Sequence, residues 1–322
     1  MKIVILTEGT AQTGYGHLSR CLAIYHGFEE HGITPIFIAD CDNNGANILH
    51  EVKVRKIDWV FDMEELGSTL DKSDIVILDS YRADITIYQR IQKMAEKAVY
   101  LDDTMRLQYP SGVIINGAIG ANKIGYSSNQ KHKLLLGGKY TPLRKPFWDV
   151  PHLEEPENFK SVLISMGSYD SPRVSIQILN KLLDELPQLK YDVIVGINNL
   201  DQLPNNMISD RIVFHNSVGG SQIRTLMMES DIIITAGGQT LYESLRFQRP
   251  KIVVGTADNQ MNSLINLCSE GYIKDFLVVD DAEFTNKIVS RTRDIVYKQI
   301  NIVHKLISGS GVRNIVQELL RN

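Results

Sequence analysis

The sequence has no long hydrophobic run, which argues against a membrane-embedded class. Within its 322 residues, no apolar stretch approaches the roughly 20 residues of a transmembrane helix. The short run at residues 3–6 is also below the about 7–15 apolar residues of a signal-peptide core. We therefore expect this run to be a first β-strand and the protein to be cytoplasmic.

Cysteine is scarce, and the histidines form no recognisable metal motif. The three cysteines, Cys21, Cys41 and Cys268, include no CxxC pair, so we expect reduced thiols. The eight histidines form neither HxH nor HExxH. The sequence therefore predicts neither a metal site nor a cofactor.

The sequence also lacks a large excess of charge of one sign. The net charge is −4, which is not the basic balance of a nucleic-acid binder. We expect a small-molecule ligand, with any phosphate held by local features, and no nucleic-acid partner or membrane insertion. The oligomeric state is not readable from these patterns.

Short β-branched runs alternate with longer amphipathic stretches, a pattern typical of α/β proteins with parallel, doubly wound sheets. Strands are predicted at 2–7, 35–39, 74–79, 98–101, 113–116, 133–136, 161–165, 192–196, 211–214, 231–235, 251–254 and 276–279. Helices are predicted at 17–30, 85–97, 174–186, 222–228, 241–247, 261–270, 282–297 and 300–321.

The alternation stops at residues 144–158, where three prolines and an acidic cluster predict a linker. We therefore predict two Rossmann-like domains, 1–145 and 158–322. The helical stretches at the end of the chain could cross back over the first domain or could form an interface. Ligands of such sheets bind at the carboxyl ends of the strands. We expect the two domains to face a cleft that holds the site.

The first candidate loop runs from Glu8 to Arg20 and includes Gly14, Tyr15 and Gly16. It follows a strand and opens a helix, where backbone N–H groups can bind an anion. At a helix start His17 is favoured as a neutral imidazole, which suits a general base, although it could equally be a capping or solvated histidine. Arg20 could steer an anion or form a surface ion pair.

A second loop, TAGGQTLYE, places Gly237, Gly238 and Gln239 before another predicted helix. Its Thr240 and Glu243 have the spacing of a capping box, which would explain them without any ligand. The paired glycines are not explained by capping, and they indicate phosphate binding.

Four further polar segments follow predicted strands. Gly167 and Ser168 lie in a small-residue turn, and Asn259 and Gln260 lie where an ordinary Asx-type helix start would also fit. Two more strand ends carry Asp79-Ser-Tyr81-Arg82 and the pair Asp102-Asp103. Paired carboxylates can divide acid and base roles or simply cap a turn. Cys21 has little support as a nucleophile.

Several motifs together resemble a known family. In chain order they are GYGHLSR, VILDSYRAD, VYLDDTMR, LLLGGKYTPLRKPFW, ISMGSYD, TAGGQTLYESLRFQRP and ADNQ. This set is similar to PseG, the UDP-sugar hydrolase of pseudaminic acid biosynthesis, within the MurG-like superfamily of GT-B fold. The GGxTxxE element is shared more widely in that superfamily and supports the fold more than the activity.

The resemblance implies hydrolysis of UDP-2,4-diacetamido-2,4,6-trideoxy-β-L-altropyranose at the anomeric C–O bond, with inversion and without metal. It implies His17 as the catalytic residue, Glu243 as the contact to ribose, and Tyr81 facing the sugar. The remaining predicted substrate or UDP contacts are Gly14, Tyr15, Gly16, Arg20, Gly167, Ser168, Gly237, Gly238, Gln239, Thr240, Asn259 and Gln260. The product would serve surface polysaccharide or flagellin glycosylation.

Three other functions remain open at this stage. A MurG-like glycosyltransferase would use a sugar hydroxyl in place of water. A non-catalytic nucleotide-sugar-binding protein would not need His17. A hydrolysing UDP-sugar 2-epimerase also has two such domains, but its characteristic acidic and histidine motifs are not apparent in this sequence.

Overall fold

The chain folds as two compact α/β units. The structure, a computed structural model, describes residues 1–71, 73–126, 131–167, 170, 173–195, 210–216, 218–298 and 305–321. Unit 1 consists of Met1–Lys145 and the chain from Ser308 onward, and unit 2 of Pro146–Ile307.

Unit 1 is built on a seven-stranded parallel sheet. Its strands are β1 (Ile3–Gly9), β2 (Ile36–Cys41), β3 (Val54–Lys56), β4 (Ser73–Asp79), β5 (Ala95–Leu101), β6 (Gly112–Asn116) and β7 (His132–Leu136). They lie in the order β3-β2-β1-β4-β5-β6-β7. Its first four helices are α1 (Gly16–Glu29), α2 (Asn43–Ile48), α3 (Met63–Leu70) and α4 (Ile85–Gln92).

Unit 2 repeats this architecture with six parallel strands. They are β8 (Ser161–Ser165), β9 (Lys190–Val195), β10 (Ile212–Asn216), β11 (Ile232–Ala236), β12 (Lys251–Gly255) and β13 (Leu277–Val278), in the order β10-β9-β8-β11-β12-β13. The helices are α5 (Val174–Glu185), α6 (Gly220–Glu229), α7 (Gln239–Ser244), α8 (Asp258–Ser269) and α9 (Phe284–Lys298).

The central strands are apolar because helices cover both faces of each sheet. All seven residues of β1 and all five of β11 are buried. Such runs cannot alternate between core and solvent, and this is why they are mostly hydrophobic. In each sheet the strand order reverses beside the first strand of the unit, β1 or β8, and loops there form the usual ligand-binding point.

The last helix, α10 (Gly311–Leu320), belongs to unit 1 and packs on α1. A Cβ on Gly27 of α1 would lie 2.4 Å from Val312 Cγ1, so the two helices approach as closely as only glycine permits. Arg313 adds an ion pair with Glu30 at 2.9 Å. The carboxyl-terminal helix therefore completes the core of unit 1.

Two helix predictions were wrong at their ends. The helix expected over 85–97 stops at Gln92, and Ala95 already pairs with Ser73 of β4. Tertiary pairing thus overrides the helix propensity of the Ala-Glu-Lys sequence. The helix expected over 300–321 begins only at Gly311, after the glycine interruption. Residues 299–304 lie outside the described part of the chain. Gly196, the last residue of the strand expected over 192–196, also lies outside it.

Arg246 anchors both ends of unit 2. Its guanidinium donates to the carbonyls of Phe147 (2.9 Å) and Trp148 (3.1 Å) at the start of the unit and to Ile307 (2.5 Å) at its end. Phe147 and Trp148 are themselves buried. The first part of the expected linker over 144–158 is therefore held on unit 2. Within the described ranges, no helix is long and apolar enough to cross a membrane.

Candidate functional site

Three adjacent strands of unit 1 bring the predicted residues of this unit together. Strands β1, β4 and β5 are neighbours, and His17, Tyr81 and Asp103 each lie just beyond the carboxyl end of one of them. Parallel strands end at one edge of the sheet, so residues distant in sequence meet there.

His17 is bound by a buried carboxylate. Its Nδ1 lies 2.6 Å from Oδ1 of Asp79, the last residue of β4, and the two side chains are only 6% and 1% exposed. Arg20 Nη2 also lies 3.0 Å from Nδ1. We assign the Nδ1 hydrogen to the shorter contact with Asp79, because an ionised carboxylate can only accept; this tautomer leaves the lone pair on Nε2. No hydrogen bond to Nε2 occurs among the residues that the structure describes. This is the tautomer that a general base requires.

Arg20, one turn further along α1, holds the same carboxylate. Its Nε donates to Asp79 Oδ2 at 2.5 Å and its Nη2 to Oδ1 at 2.6 Å. Its Nη1 lies 2.7 Å from both oxygens of Asp103. The guanidinium is therefore bonded to two carboxylates.

These contacts fix the charge of the network. Burial by itself raises the pKa of Asp79, but the charge of Arg20, together with the hydrogen bonds from Arg20 and His17, outweighs it and holds this pKa well below its usual range. Burial likewise opposes Asp103 ionisation, and Arg20 again lowers the pKa of Asp103. Both carboxylates are therefore ionised at neutral pH, and the pair raises the pKa of Arg20 despite burial.

Tyr81 covers His17. The two rings are edge-to-face with centroids 4.5 Å apart, and the Tyr81 hydroxyl donates to Asp103 Oδ2 at 2.8 Å. The Tyr81 side chain is partly exposed, at 39%. This places an accessible phenol beside the imidazole.

A buried glutamate supports the turn that carries Tyr81. Glu8, the sixth residue of β1, is 1% exposed and accepts from Ser80 Oγ (2.6 Å), Tyr81 N (2.9 Å) and Arg82 N (3.2 Å). Arg106 holds the other side of the turn through the carbonyl of Ser80 at 3.0 Å. Sequence reasoning missed both roles; a glutamate inside an otherwise apolar strand was the signal for Glu8.

Asp102 and Asp103 have different roles. Asp102 is buried and accepts from the hydroxyls of Tyr109 (3.2 Å) and Tyr126 (2.6 Å). Only Asp103 reaches the network of Arg20. Because the two residues are consecutive, their side chains leave the strand end in opposite directions.

Hydrogen bonds fix the conformation of the loop before α1. Gly14 has φ 78° and donates to Thr10 O at 2.8 Å, and the Tyr15 hydroxyl donates to Asp42 at 3.0 Å. Gly16 is exposed and begins α1, which has no side-chain cap. The first turn of α1 therefore presents its backbone N–H groups beside His17. Burial raises the pKa of the Cys21 thiol, which opposes a nucleophilic role.

Unit 2 collects its predicted residues at one edge in the same way. Strands β8, β11 and β12 are neighbours. Beyond them lie Gly167 (φ 89°), the Gly237–Thr240 turn, and the Asn259–Gln260 pair in the first turn of α8. Ser168 lies outside the described residues.

The capping-box explanation of Thr240 and Glu243 is wrong. The N-cap of α7 is Gly238, so Thr240 is the second and Glu243 the fifth residue after it, and no side-chain cap is formed. Glu243 is fully buried.

Two loops of unit 2 touch at Gly237. A Cβ on Gly237 would lie 3.1 Å from Gln260 Oε1 and 3.0 Å from Leu264. Gln260 in turn accepts from Thr256 N at 3.0 Å, while Asn259 is exposed. The alternative Asx-type start of α8 is not formed, since its N-cap is Ala257 without a side-chain bond. Across the described ranges, no group of three or more His, Cys, Asp or Glu side chains could hold a metal.

Comparison with known proteins finds distant relatives. No protein-family model matches the chain. It is 25% identical over 85% of its length to an uncharacterised protein of Methanocaldococcus jannaschii, covering 58% of that protein. It is 23% identical over 81% of its length to a pseudaminic acid cytidylyltransferase and UDP-2,4-diacetamido-2,4,6-trideoxy-β-L-altropyranose hydrolase of Helicobacter pylori, covering 46% of it. The chain thus spans about half the length of these two relatives.

A third relative is matched over most of its length. It is the spore coat polysaccharide biosynthesis protein SpsG of Bacillus subtilis, 20% identical over 84% of this chain and 82% of that protein.

Solved structures agree on the fold. The chain superposes on Staphylococcus aureus MnaA bound to UDP with a TM-score of 0.65 and 11% identity, covering 99% and 96% of the two chains. The superposition on Acinetobacter baumannii MurG has a TM-score of 0.62 and 13% identity, and it covers 99% of this chain and 100% of that chain. A UDP-GlcNAc 2-epimerase of Methanocaldococcus jannaschii gives 0.61 and 13%, covering 99% of both. The α/β class and GT-B fold expected from the sequence are confirmed, and the chain is a distant homologue of the pseudaminic acid hydrolase and SpsG proteins.

Proposed function

We propose that the protein is an enzyme that hydrolyses a UDP-linked 2,4-diacetamido-2,4,6-trideoxy sugar, releasing UDP and the free sugar. The observation that carries the proposal is the 2.6 Å contact of His17 Nδ1 with ionised Asp79, which we interpret as a hydrogen bond donated by Nδ1 that leaves Nε2 as an acceptor. The relative in Helicobacter pylori, whose name includes this hydrolase activity, supports the choice of substrate.

In this mechanism His17 Nε2 takes a proton from water, and the water oxygen attacks the anomeric carbon as the bond to UDP breaks. The network favours this step through its charge. Asp79 and Asp103 carry two negative charges against the one positive charge of Arg20. A proton taken up by His17 therefore neutralises the group, so the imidazolium that forms is stabilised.

We assign nucleotide binding to the strand-end loops of unit 2. The α7 start at Gly238 would receive the diphosphate, buried Glu243 would accept from the ribose hydroxyls, and Asn259 would contact the nucleotide or sugar. Gly167, Ser168, Gln239, Thr240 and Gln260 complete the proposed contacts. UDP is a good leaving group, so donors that stabilise its negative charge suffice and no metal is needed.

In unit 1, Tyr81 and the loop Gly14-Tyr15-Gly16 would contact the sugar. The guanidinium of Arg20, expected from sequence as a possible ligand contact, is bonded to Asp79 and Asp103. We therefore propose that Arg20 acts by positioning these groups.

The test is UDP release from UDP-2,4-diacetamido-2,4,6-trideoxy-β-L-altropyranose with chelator present and no acceptor, followed by NMR of the first-formed sugar. We expect rapid release and an inverted anomer. Tight UDP binding without release would contradict hydrolysis.

Sugar transfer is the second candidate, because a GT-B transferase such as MurG shares the fold and the same base could deprotonate an acceptor hydroxyl. It predicts release only after an acceptor is added. An epimerised sugar product would instead indicate a 2-epimerase.

A further inference from the structure

Asp103 differs from every other charged group of the His17 network in its exposure. Its carboxylate is 37% exposed, whereas that of Asp79 is 1% and the Arg20 side chain 13% exposed. It receives Arg20 Nη1 on both oxygens at 2.7 Å and the Tyr81 hydroxyl at 2.8 Å. Asp103 therefore joins the buried half of the network to its exposed half.

The fold of this loop does not depend on Asp103. Its neighbour Asp102 holds the local tyrosines and also accepts from Arg106 N at 3.3 Å. Asn116 holds the loop through the backbone carbonyl of Asp103, not through its side chain (3.1 Å). A change in the Asp103 carboxylate thus leaves the contacts that shape the loop intact.

The direction of the Tyr81–Asp103 hydrogen bond follows from the charge of Asp103. Because Asp103 is ionised, it can only accept, and the Tyr81 hydroxyl must donate. The phenol oxygen then has lone pairs left and no hydrogen to offer. Burial, followed by the negative charge of Asp103, raises the pKa of the Tyr81 phenol, so this proton stays in place.

We propose that Asp103 is a positioning residue that fixes Tyr81 as a hydrogen-bond acceptor toward the sugar and holds Arg20 against Asp79. This role rests on the proposed function. It selects a ligand group that donates, a sugar hydroxyl or an acetamido N–H, and it excludes Tyr81 as the acid that protonates the leaving group. The same hydrogen bond holds the Tyr81 ring in its edge-to-face contact with His17.

The first test needs no substrate. Full-length protein labelled with ¹³Cζ-tyrosine is titrated by NMR, with Tyr81→Phe assigning the signal. In Asp103→Asn, we expect the phenol pKa of Tyr81 to fall toward the ordinary value of about 10. Asp103→Glu, which retains the charge, should restore much of the raised value. If the asparagine variant fails to fold, Asp103→Ser, which also removes the charge, takes its place. An unchanged Tyr81 titration in Asp103→Asn would overturn the proposal.

The second test measures turnover. Asp103→Asn and Tyr81→Phe should each lower kcat about tenfold to a hundredfold, as expected when a charge-assisted hydrogen bond is lost. The double variant should be no slower than the slower single variant, because both changes remove one coupled unit. Effects that multiply would overturn the proposal. If the wild type hydrolyses no donor, the proposed function fails, while the NMR titration still decides the role of Asp103.

Asp102→Asn is the matched control. It alters the adjacent carboxylate, whose partners are Tyr109 and Tyr126. We expect it to lower thermal stability and to leave the Tyr81 titration unchanged. A Tyr81 shift in this variant as large as that in Asp103→Asn would contradict a specific role for Asp103.

Discussion

The two units hold their site residues by different means. In unit 1, charged side chains hold one another: His17, Arg20, Asp79 and Asp103 form one network of short contacts. In unit 2, the corresponding loops are built from glycines and helix starts, and the arginines Arg246 and Arg249 bond to backbone carbonyls instead of carboxylates.

This difference matches two tasks. A base needs a fixed tautomer and a compensating charge, and a carboxylate side chain supplies both at once. An anion can be bound by backbone N–H groups, provided that no side chain blocks the approach. The comparison predicts that changes in unit 1 affect turnover and that changes in unit 2 affect nucleotide affinity.

The largest effect is expected for His17→Ala. Loss of the general base should lower turnover by roughly 10²–10⁴-fold while UDP affinity stays nearly constant. Steady-state UDP release and calorimetric UDP binding measure the two quantities. Loss of UDP affinity together with turnover would make His17 a binding residue and remove the distinction between the units.

Asp79→Asn should lower both turnover and stability. The amide no longer fixes the His17 tautomer, and it leaves the Arg20 charge without its buried partner; breaking such a pair costs about 3–5 kcal/mol. Denaturant unfolding and turnover check the two effects.

The same variant has a pH signature. The pKa of Asp79 is lowered in the fold, so its contribution to stability is present above about pH 4 and is lost as the pH falls through the folded value. The stability difference between wild type and Asp79→Asn should therefore shrink in acid. A difference that is constant with pH would contradict this assignment.

Glu243→Gln should weaken UDP binding with little change in thermal stability. Glu243 is the fifth residue after the N-cap Gly238, which is not the capping-box position, so no capping-box energy is lost, and glutamine keeps the shape of the buried side chain. Calorimetry of UDP binding and thermal unfolding provide the comparison. Reduced stability with unchanged affinity would favour a structural role.

The last prediction concerns the stability of unit 2 and its buried Lys251. Burial, then the charge of Arg249, lowers the pKa of Lys251 to about 7. An unfolded lysine keeps its proton up to about pH 10.4, so the unfolded chain binds more protons above pH 7. The contribution of Lys251 should therefore make stability rise with pH between about 7 and 10. Lys251→Met should remove this rise. Urea unfolding of both proteins at several pH values gives the free energy of unfolding, and an equal rise with pH in the two proteins would contradict the prediction.

The sequence predicted most strands of the two sheets because buried parallel strands are largely apolar. It missed the eight-residue helix α3. It also missed β3 (Val54–Lys56), a three-residue edge strand with two charged residues, and the short helix α2, which is rich in asparagine. Such elements owe their structure to the neighbours they pair with, not to local pattern.

For the site, the sequence indicated His17 and the polar strand ends but not their partners. His17 and Asp79 are 62 positions apart, and only the order of strands β1, β4 and β5 brings them and Asp103 together. Choosing Asp103 over Asp102 required knowing which side of a strand end each side chain occupies.

The central claim is that His17 activates water for attack at the sugar carbon. It is tested most directly by a single turnover of the UDP-linked diacetamido sugar in ¹⁸O-labelled water without acceptor, with mass spectrometry of both products as soon as they form. We predict one ¹⁸O in the free sugar and none in UDP for the wild type, and no detectable product over the same interval for His17→Ala. Label in UDP, or equal turnover by the two proteins, would contradict the account.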